Sequence, residues 1–491
     1  MTMIRLGFLS LLLAVLAVCS GTPVGAQERE PTAPASLQSE IDELKRRTAS
    51  LENQLQETKQ AAEQSWDTRF EELIRSSKEG FVRTSLDGNS TIRFGGRVQL
   101  DAGWFETPHG VQDRFSAPFV DGVVLRRAVL ETDGTLWKYF DYSFNADVSR
   151  SSDLRSPSQD PDATVYITNA WLAVTDLFVP GTLKAGHQIQ PLLFSAAGSN
   201  NFLSFMERPA VYDGLNDDFS YETGLSYRYS TLNDRLTGFV GVFKPGTRLG
   251  GFGVGNGEYA LTGRVHGFPI YDEAEQQWLY VGVAGSYRTL ADSQNRIFTR
   301  PLVRTGTRFQ NPHVIDTGDF FSSSANQLAS IGSYAALGPL AFGGEYLASL
   351  QNNAYATGLP GTPGSQSLGN LFFSGFYLEA LCFLTPGDHR PASLINGGFD
   401  RVKPVSPVGP DHEKGNGFGW GAWEIGLRYD RFDANTGNVR WGRMDSVSAG
   451  VNWYLNANVR WMTNYVFTQL DGGGAGNVPI HAFGTRIGFD F

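Results

Sequence analysis

Long apolar runs are missing from this 491-residue sequence once its first residues are passed. Beyond the N-terminus there is no uninterrupted run of 18 or more apolar residues. This excludes transmembrane helices, since a helix needs about 20 apolar residues to cross a bilayer. The mean hydropathy of −0.23 does not indicate a soluble protein, because a strand between lipid and water is polar at every second residue.

Cysteine and net positive charge are also scarce. Only Cys19 and Cys382 are present, and removal of a leader would leave Cys382 alone, so no intrachain disulfide is expected. The net charge is −10, which excludes a nucleic-acid partner, because a phosphate-binding surface needs an excess of Lys and Arg. This sum does not decide the selectivity of a pore, since an ion responds to the field along its own path.

Signs of an active site are sparse as well. The seven histidines show no metal-ligand spacing, and no serine or cysteine nucleophile motif is present. The glycine-rich stretch at 251–255 lacks the strand and helix of a phosphate-binding loop. We therefore predict no enzyme, no metal and no cofactor. An outer-membrane lipase or protease with a site in a lumen or at a rim is the remaining enzyme alternative.

The N-terminus carries the pattern of a secretory signal peptide. Arg5 precedes an apolar run at 6–18, and small residues lead to a cut after Ala26. The alternative is a lipoprotein signal ending at Cys19, which is disfavoured because the residue before the cysteine should be small and is Val18. The sequence thus predicts a signal peptide over 1–26.

A linker at 27–36 leads into a helical pattern over 37–78. Apolar or small residues recur there in alternating steps of four and three, which is the heptad seam of a coiled coil. The seam consists of Leu37, Ile41, Leu44, Thr48, Leu51, Leu55, Thr58 and Ala62. We predict a short α-helical coiled coil in the periplasm, of two or three strands. The alternative is a single amphipathic helix lying on the rest of the protein.

From Thr91 onward the period changes to two. In the closing segment 481–491, Phe483, Ile487 and Phe491 point to one side and Arg486 to the other. This pattern predicts an all-β fold over 86–491, a 16-stranded antiparallel transmembrane β-barrel. The predicted strands are 91–105, 123–133, 139–149, 165–175, 182–188, 219–229, 236–243, 258–268, 278–288, 327–336, 340–349, 371–381, 420–431, 444–454, 457–467 and 481–491.

The connections between these strands mostly alternate between long and short. Outer-membrane barrels have long loops outside and short turns on the periplasmic side. The segment 382–419 breaks this rule, because it is long and falls on the periplasmic side. Backbone without ladder partners is tolerated at membrane depth only inside protein or water. We therefore expect 382–419 to fold up into the barrel mouth.

Several stretches, in order from Ile92 to Phe491, resemble the phosphate-selective porin family, porins O and P. They are 94–101 (FGGRVQLD), 125–130 (LRRAVL), 134–138 (GTLWK), 205–208 (FMER), 384–391 (LTPGDHRP), 421–428 (GAWEIGLR) and 451–456 (VNWYLN). The resemblance implies a homotrimer of sixteen-stranded barrels in which arginines and constriction lysines guide anions. It also implies that three segments fold inward, by position 189–218, 289–326 and 382–419.

The resemblance places Arg97 and the adjacent Arg126 and Arg127 among the arginines of the pore ladder. Alternation lets only one of two neighbours face the lumen inside a regular strand. Arg127 is the favoured one, so Arg126 needs a rim position or a bulge. Arg264 and Arg288 also face inward in the predicted register.

A second set of arginines recurs every fourth residue within 289–326. If this loop dips into the lumen, their guanidinium groups would form a step-wise path for anions. The residues are Arg296, Arg300, Arg304 and Arg308. The alternative is a solvated loop that binds lipopolysaccharide phosphates at the rim.

A third basic group, Arg390, Arg401 and Lys403, lies in 382–419. It is a candidate for anion binding, or alternatively a local salt-bridge network that holds the segment. The loop 189–218 points the other way, because it contains one base, Arg208, against four acids and no lysine. Gln190 also stands where many relatives carry lysine. Both features weigh against phosphate.

The sequence therefore predicts a passive outer-membrane porin for anions, phosphate or related oxyanions. Its expected partners are outer-membrane lipid and lipopolysaccharide, small anions, and further copies of itself in a homotrimer. One alternative is a general diffusion porin for small hydrophilic solutes. Another is a structural barrel whose coiled coil tethers the envelope.

Overall fold

The computed structural model describes residues 42–56, 59, 81–149, 165–176, 179–216, 220–244, 259–289, 293–306, 311–357, 363–411, 417–473 and 476–491. The signal peptide and linker expected over 1–36 lie outside the described residues. The chain divides into two compact units, Met1–Ile74 and Arg75–Phe491. None of the described helices is long and apolar enough to cross a bilayer.

The first unit contains a helix over 42–56 whose side chains are exposed throughout. Leu44, Leu51 and Leu55 of the expected seam are 59%, 64% and 57% exposed. Arg47 and Glu43 form an ion pair at 2.9 Å one helical turn apart, a contact of small energetic weight at a surface. The ends of the seam, at 37–41 and 58–62, lie outside the described helix.

The second unit is a closed barrel of sixteen antiparallel strands, as the sequence predicts. They are β1 (Thr91–Glu106), β2 (Gly122–Leu136), β3 (Phe140–Asp147), β4 (Tyr166–Thr175), β5 (Thr182–Ile189), β6 (Tyr221–Thr231), β7 (Leu236–Lys244), β8 (Ala260–Asp272), β9 (Gln277–Thr289), β10 (Phe320–Leu337), β11 (Leu340–Thr357), β12 (Gln366–Phe383), β13 (Ala422–Thr436), β14 (Val439–Tyr454), β15 (Val459–Asp471) and β16 (Val478–Asp490).

Each strand pairs with the next, and β16 returns to β1. The closing register runs from Arg97 opposite Asp490 to Glu106 opposite His481. Closure leaves no open edge in the wall, which satisfies the backbone groups inside a bilayer.

Short elements lie outside the sixteen strands. The described ones are the strands Phe81–Thr84, Ser293–Asn295, Phe298–Thr299, Ile315–Asp316, Ala392–Ser393, Gly398–Phe399, Gly409–Asp411 and Gly417–Gly419, the α-helices Phe194–Ala197 and Ala210–Leu215, and the 3-10 helices Gln112–Arg114 and Asn200–Phe202.

The two faces of the wall differ as alternation predicts. On β16, Phe483, Ile487 and Phe489 are 44%, 51% and 47% exposed on the outer face. Ala482 and Arg486, which alternate with them along the strand, are buried on the inner face. An apolar outer face and a polar inner face are what a water-filled barrel in lipid requires.

Three connections meet inside the barrel. We name them the inner loop (190–220, between β5 and β6), the outer loop (290–319, between β9 and β10) and the periplasmic segment (384–421, between β12 and β13). Phe194 of the inner loop is stacked on Tyr334 of the wall at 4.3 Å and meets Phe399 of the periplasmic segment edge-on at 4.9 Å. The expectation that the long periplasmic connection folds inward is therefore confirmed.

Candidate functional site

The wall of the barrel holds the backbone of the inner loop on both sides of Glu207. The Met206 amide donates to Asn464 Oδ1 at 2.9 Å. Arg486 Nη1 donates to the Met206 carbonyl at 2.5 Å, and Arg428 Nη1 to the Glu207 carbonyl at 3.0 Å. Paired polar groups of this kind are favoured at a buried site, because an unpaired one would cost about 1–3 kcal/mol.

Small residues on the wall make this close approach possible. A Cβ at Gly450 would lie 2.6 Å from the side-chain nitrogen Nδ2 of Asn464 and 3.2 Å from the Phe205 ring. A Cβ at Gly484 would lie 3.0 Å from the Met206 sulfur. Any larger side chain at either position would therefore push the inner loop away from the wall.

The Glu207 carboxylate lies among three guanidinium groups, which we call the guanidinium cluster: Arg126, Arg304 and Arg486. Arg126 donates from Nε and Nη2, both at 3.0 Å, and Arg486 Nη2 lies 3.0 Å away. Arg304 Nη1 is at 3.4 Å. Glu207 lies outside the strands; burial alone would raise the pKa of its carboxyl, but Arg126 and Arg304 hold that pKa well below the ordinary value.

A β-bulge brings both members of the adjacent arginine pair to the lumen. Gln99 of β1 is opposite Arg127 while Leu100 is opposite Leu125, so Arg126 is the extra residue. Arg127 Nη1 donates to Gln99 Oε1 at 2.7 Å. The bulge, one of the two placements that the sequence required for Arg126, is the one present. Arg126 therefore reaches Glu207 instead of the rim.

The arginines of the outer loop do not form a single file. Arg300 donates from its amide to Asp213 Oδ2 at 2.7 Å and also binds this carboxylate with its guanidinium group. Arg304 lies between Asp213, at 3.0 Å, and Glu207. The expectation of one common side is wrong for Arg296. Its side chain is 41% exposed and donates from Nε and Nη2 to the Asp316 carboxylate. Arg308 lies outside the described residues.

The cause of this split is the local geometry of the outer loop. The chain is extended only at Phe298–Thr299 and bends at Leu302 and Val303 after Pro301, so no regular repeat runs from position 296 to position 304. A spacing of four residues therefore does not keep one direction.

Other wall arginines predicted from the sequence are placed as follows. Arg97 donates to Ser199 Oγ at 3.3 Å and lies 3.5 Å from Glu131. Arg264 binds the carbonyls of Asn396, at 2.8 Å, and Gly397, at 2.7 Å, in the periplasmic segment. Arg288 is fully buried, with Nε 3.1 Å from Ser286 Oγ. Arg97 and Arg264 thus hold inward segments to the wall.

The basic residues of the periplasmic segment lie at the inner mouth. Arg390 pairs with Glu424 and donates to the Tyr454 hydroxyl at 2.8 Å and the Phe202 carbonyl at 3.2 Å. Arg401 pairs with Asp490 and donates to the Ala457 carbonyl at 2.7 Å. Both arginines thus take part in a salt-bridge network, the alternative open in the sequence, while they also line cavities.

Two cavities adjoin at this mouth. The wider one, about 560 Å³, is bordered by Arg93, His389, Lys403, Glu273 and Asp400 among others. The narrower one, about 30 Å³, leads toward the guanidinium cluster. Its basic lining is Arg390, Arg401, Arg460 and Arg486. Arg401 borders both cavities, so basic side chains follow the way from the mouth to Arg486 of the guanidinium cluster.

Several site residues were not singled out from the sequence: Arg93, Glu207, Asp213, Arg428, Arg460 and Arg486. The alternation of β15 and β16 would have found Arg460 and Arg486, since their neighbours Trp461 and Ile487 are exposed on the outer face. No local pattern marks Glu207 as the partner of Arg486.

Two of the four acids of the inner loop are among the described residues, and both are paired with arginines. Glu207 and Asp213 contact arginines of the wall and of the outer loop, so they are counter-charges inside a basic site. Among the described residues, the guanidinium groups around them (Arg97, Arg126, Arg127, Arg300, Arg304, Arg428 and Arg486) outnumber the carboxylates that those groups contact (Asp101, Glu131, Glu207, Asp213 and Asp430). The local charge therefore favours anions, although the chain as a whole is acidic.

Comparisons with known proteins found a matching family model, relatives and similar solved structures. A profile of the family described as phosphate-selective porin O and P matches residues 92–491. Porin O of Pseudomonas aeruginosa is 24% identical over 428 residues, which cover 82% of this chain and 88% of that protein. Among solved structures, the anion-selective porin of Comamonas acidovorans has a TM-score of 0.46 at 12% identity, covering 82% of this chain and 100% of that one. The channel DcaP of Acinetobacter baumannii has a TM-score of 0.49 at 11% identity, covering 83% and 99%.

Proposed function

The chain belongs to the phosphate-selective porin O and P family and is an outer-membrane porin for anions, not an enzyme; from this premise we propose that its pore prefers phosphate or related oxyanions. The observation that carries the proposal is the excess of guanidinium groups over carboxylates around the inner loop. Arginine suits this task because its planar fork binds two oxygens of a phosphate at once.

The proposed path starts at the periplasmic mouth with Lys403 and Arg401. It continues past Arg390 and Arg460 to Arg486 and Arg126. These two arginines belong to the guanidinium cluster around Glu207, which is the proposed constriction of the pore. Each guanidinium group replaces part of the water around an anion, and the next group lies close enough to take it on. Carboxylates such as Glu424 and Asp490 keep these sites from binding so tightly that the anion cannot leave.

Conductance in planar bilayers tests this function. Purified wild-type protein in a potassium chloride gradient should show a reversal potential closer to the equilibrium potential of chloride than to that of potassium. Added phosphate should reduce the chloride current in a saturable manner. A pore without ion preference and without phosphate block would favour the general diffusion porin. Absence of conductance would favour the structural barrel.

The proposal extends to the expected assembly and location. We infer a homotrimer, in line with the resemblance to porins O and P, with a signal peptide over 1–26 and a coiled coil over 37–78 in the periplasm. The exposed Leu44, Leu51 and Leu55 support the coiled coil, because a helix with an uncovered apolar seam gains from association. Lipopolysaccharide phosphates at the outer rim remain the proposed lipid partner.

The coiled coil has its own test. A peptide of residues 37–78 should associate, and Leu44→Asp with Leu51→Asp should make it monomeric in analytical ultracentrifugation, because buried charges at core positions are costly. The same double variant of the full chain should keep its barrel oligomer, which would be held by strand-wall contacts. A wild-type peptide that is already monomeric would contradict the coiled coil and favour the single amphipathic helix.

A further inference from the structure

The Glu207 carboxylate is bound in the way that a protein binds a free oxyanion. Its Oε1 contacts Arg126 Nε and Arg486 Nη2, each at 3.0 Å. Its Oε2 contacts Arg126 Nη2 at 3.0 Å and Arg304 Nη1 at 3.4 Å. A two-pronged contact from one arginine with further cations at each oxygen is the arrangement that arginine offers to phosphate and carboxylate ligands.

The backbone of Glu207 does not depend on this carboxylate for its position. The bonds from Asn464, Arg428 and Arg486 to the backbone of 206–207 hold it, as described above. Arg208 adds a bond from Nε to the Ser195 carbonyl at 2.8 Å within the loop. The side chain can therefore leave the guanidinium cluster while the loop remains in place.

The cations around Glu207 differ in what else they bind. Arg486 also holds Asp101 through two bonds, at 2.7 and 2.6 Å, and Arg304 also contacts Asp213. In the part of the chain that the structure describes, Arg126 has Glu207 as its one carboxylate partner. Arg127, beside it, has no carboxylate within ion-pair distance there and donates to Gln99. Departure of the Glu207 side chain would thus expose positive charge chiefly at Arg126 and Arg127.

We propose that Glu207 is a tethered competitor, which occupies an oxyanion site of the pore until a permeating oxyanion replaces it. The inference rests on the proposed function, because it concerns the same constriction. The class of ligand is a tetrahedral oxyanion with two negative charges, such as hydrogen phosphate or sulfate. Such an ion has enough oxygens to take over the contacts of both carboxylate oxygens. Chloride is a single atom and cannot replace two separate oxygens.

The consequence for transport is a site that binds oxyanions with moderate strength. An anion that enters must displace Glu207, and the returning carboxylate helps to expel it. Conduction through a selective pore requires this balance between entry and release. Removing the carboxylate should therefore tighten binding and slow release.

The test uses the full-length protein in planar bilayers, with potassium phosphate as the probe and its block of chloride current as the measure of binding. In Glu207→Gln the concentration of phosphate that halves the current should fall about tenfold, which corresponds to about 1.4 kcal/mol. Asp316→Asn is the matched control, because it removes one negative charge from the outer loop away from the guanidinium cluster. It should change the half-blocking concentration less than about twofold, since screening in salt limits distant charges.

A second variant shows whether carboxylate and phosphate use the same cation. Adding Arg126→Gln to Glu207→Gln should abolish the gain in phosphate block, because the two ligands share that guanidinium group. A merely structural role of Glu207 would not produce this pattern. Heat-modifiable migration on gels verifies that each variant has a folded barrel.

Three outcomes would overturn the inference. They are an unchanged half-blocking concentration in Glu207→Gln, a gain that survives the Arg126→Gln substitution, and a severalfold rise in chloride conductance with loss of phosphate block. The last would identify Glu207 as a clamp that holds the inner loop. The wild-type permeability ratio is measured first, so a wild type without anion preference contradicts the proposed function. An anion-selective wild type with an unresponsive Glu207→Gln contradicts the tethered competitor alone.

Discussion

The inner loop meets the barrel wall through two unlike surfaces. Near Phe194 the contact is aromatic and apolar, with Tyr280 and Tyr334 within 4.7 Å and 4.3 Å of its ring. Near Glu207 the contact consists of guanidinium groups and carboxylates. Apolar contacts do not discriminate between ions, whereas the charged ones do. Both regions hold the loop to the wall, and under the proposed function the region near Glu207 also selects what passes.

The anchoring side has a polar component too. Glu345 of β11 accepts hydrogen bonds from the Phe194 amide at 2.5 Å and the Ser195 amide at 3.1 Å, and the Tyr377 hydroxyl donates to the same carboxylate. These bonds satisfy the first amides of the short helix Phe194–Ala197. Both surfaces therefore use carboxylates, but at the anchor the carboxylate belongs to the wall, and at the constriction it belongs to the loop.

Removing the anchor should have the largest effect. Phe194→Ala takes away a fully buried ring, and we expect a loss of about 3–5 kcal/mol in the free energy that holds the loop against the wall. The single-channel conductance in potassium chloride should rise, because the loop withdraws from the lumen. Phe483→Ala, which removes a lipid-facing ring, is the control and should leave conductance unchanged. Wild-type conductance of Phe194→Ala would mean that the charged side alone positions the loop.

Neutralising cations on the selecting side should have an intermediate effect. Arg300→Gln with Arg304→Gln removes two buried positive charges and leaves Asp213 without its guanidinium partners. Each charge contributes on the order of a kcal/mol to anion entry, so the chloride-to-potassium permeability ratio should fall severalfold. Arg296→Gln is the matched control, since this half-exposed arginine binds Asp316. Equal effects of the control and the double variant would mean that the two buried arginines have no special part in anion entry.

Acidification should have the smallest effect. The pKa of Glu207 is depressed below its ordinary value of 4.5. The ion pairs of this carboxylate therefore stabilise the constriction in full above pH 4.5, and they are lost only as pH falls through the lower, folded-state pKa. The part of the chloride-to-potassium permeability ratio that depends on Glu207, measured as the difference between wild type and Glu207→Gln, should therefore stay nearly constant from pH 7 to about pH 4.5. A difference that changes within this range would show that Glu207 takes up a proton there, and that the guanidinium cluster holds the carboxylate more weakly than its contacts indicate.

The sixteen strands were predictable because each one carries its own pattern. The exposed Phe483, Ile487 and Phe489 and the buried Arg486 follow a period of two that needs no knowledge of any other strand. The inward course of 384–421 followed from parity, since a long connection on the periplasmic side has to be accommodated inside. For the adjacent Arg126 and Arg127, the alternation of side chains already predicted a bulge or a rim position without knowledge of the strand pairing.

The count of acids in the inner loop omitted what surrounds them. Counting acids within 189–218 treats the loop as if its surroundings were neutral, whereas Glu207 and Asp213 lie against cations from other parts of the chain. The spacing of the outer-loop arginines did not predict a common side for Arg296 and Arg304, because the chain is extended only at Phe298–Thr299 and bends at Leu302 and Val303 between them.

Sequence alone therefore determined the class of fold, the strand order and the two faces of the wall. Strand periodicity is visible within a few neighbouring residues, and the alternation of long and short connections follows from counting the strands. Tertiary structure decided which charges meet. Arg486 binds Asp101 across 385 positions of the chain and Glu207 across 279. Such pairs depend on the closing register of β16 with β1 and on the inward course of the loop. An ion in the pore responds to the field of these assembled charges, which no single segment carries.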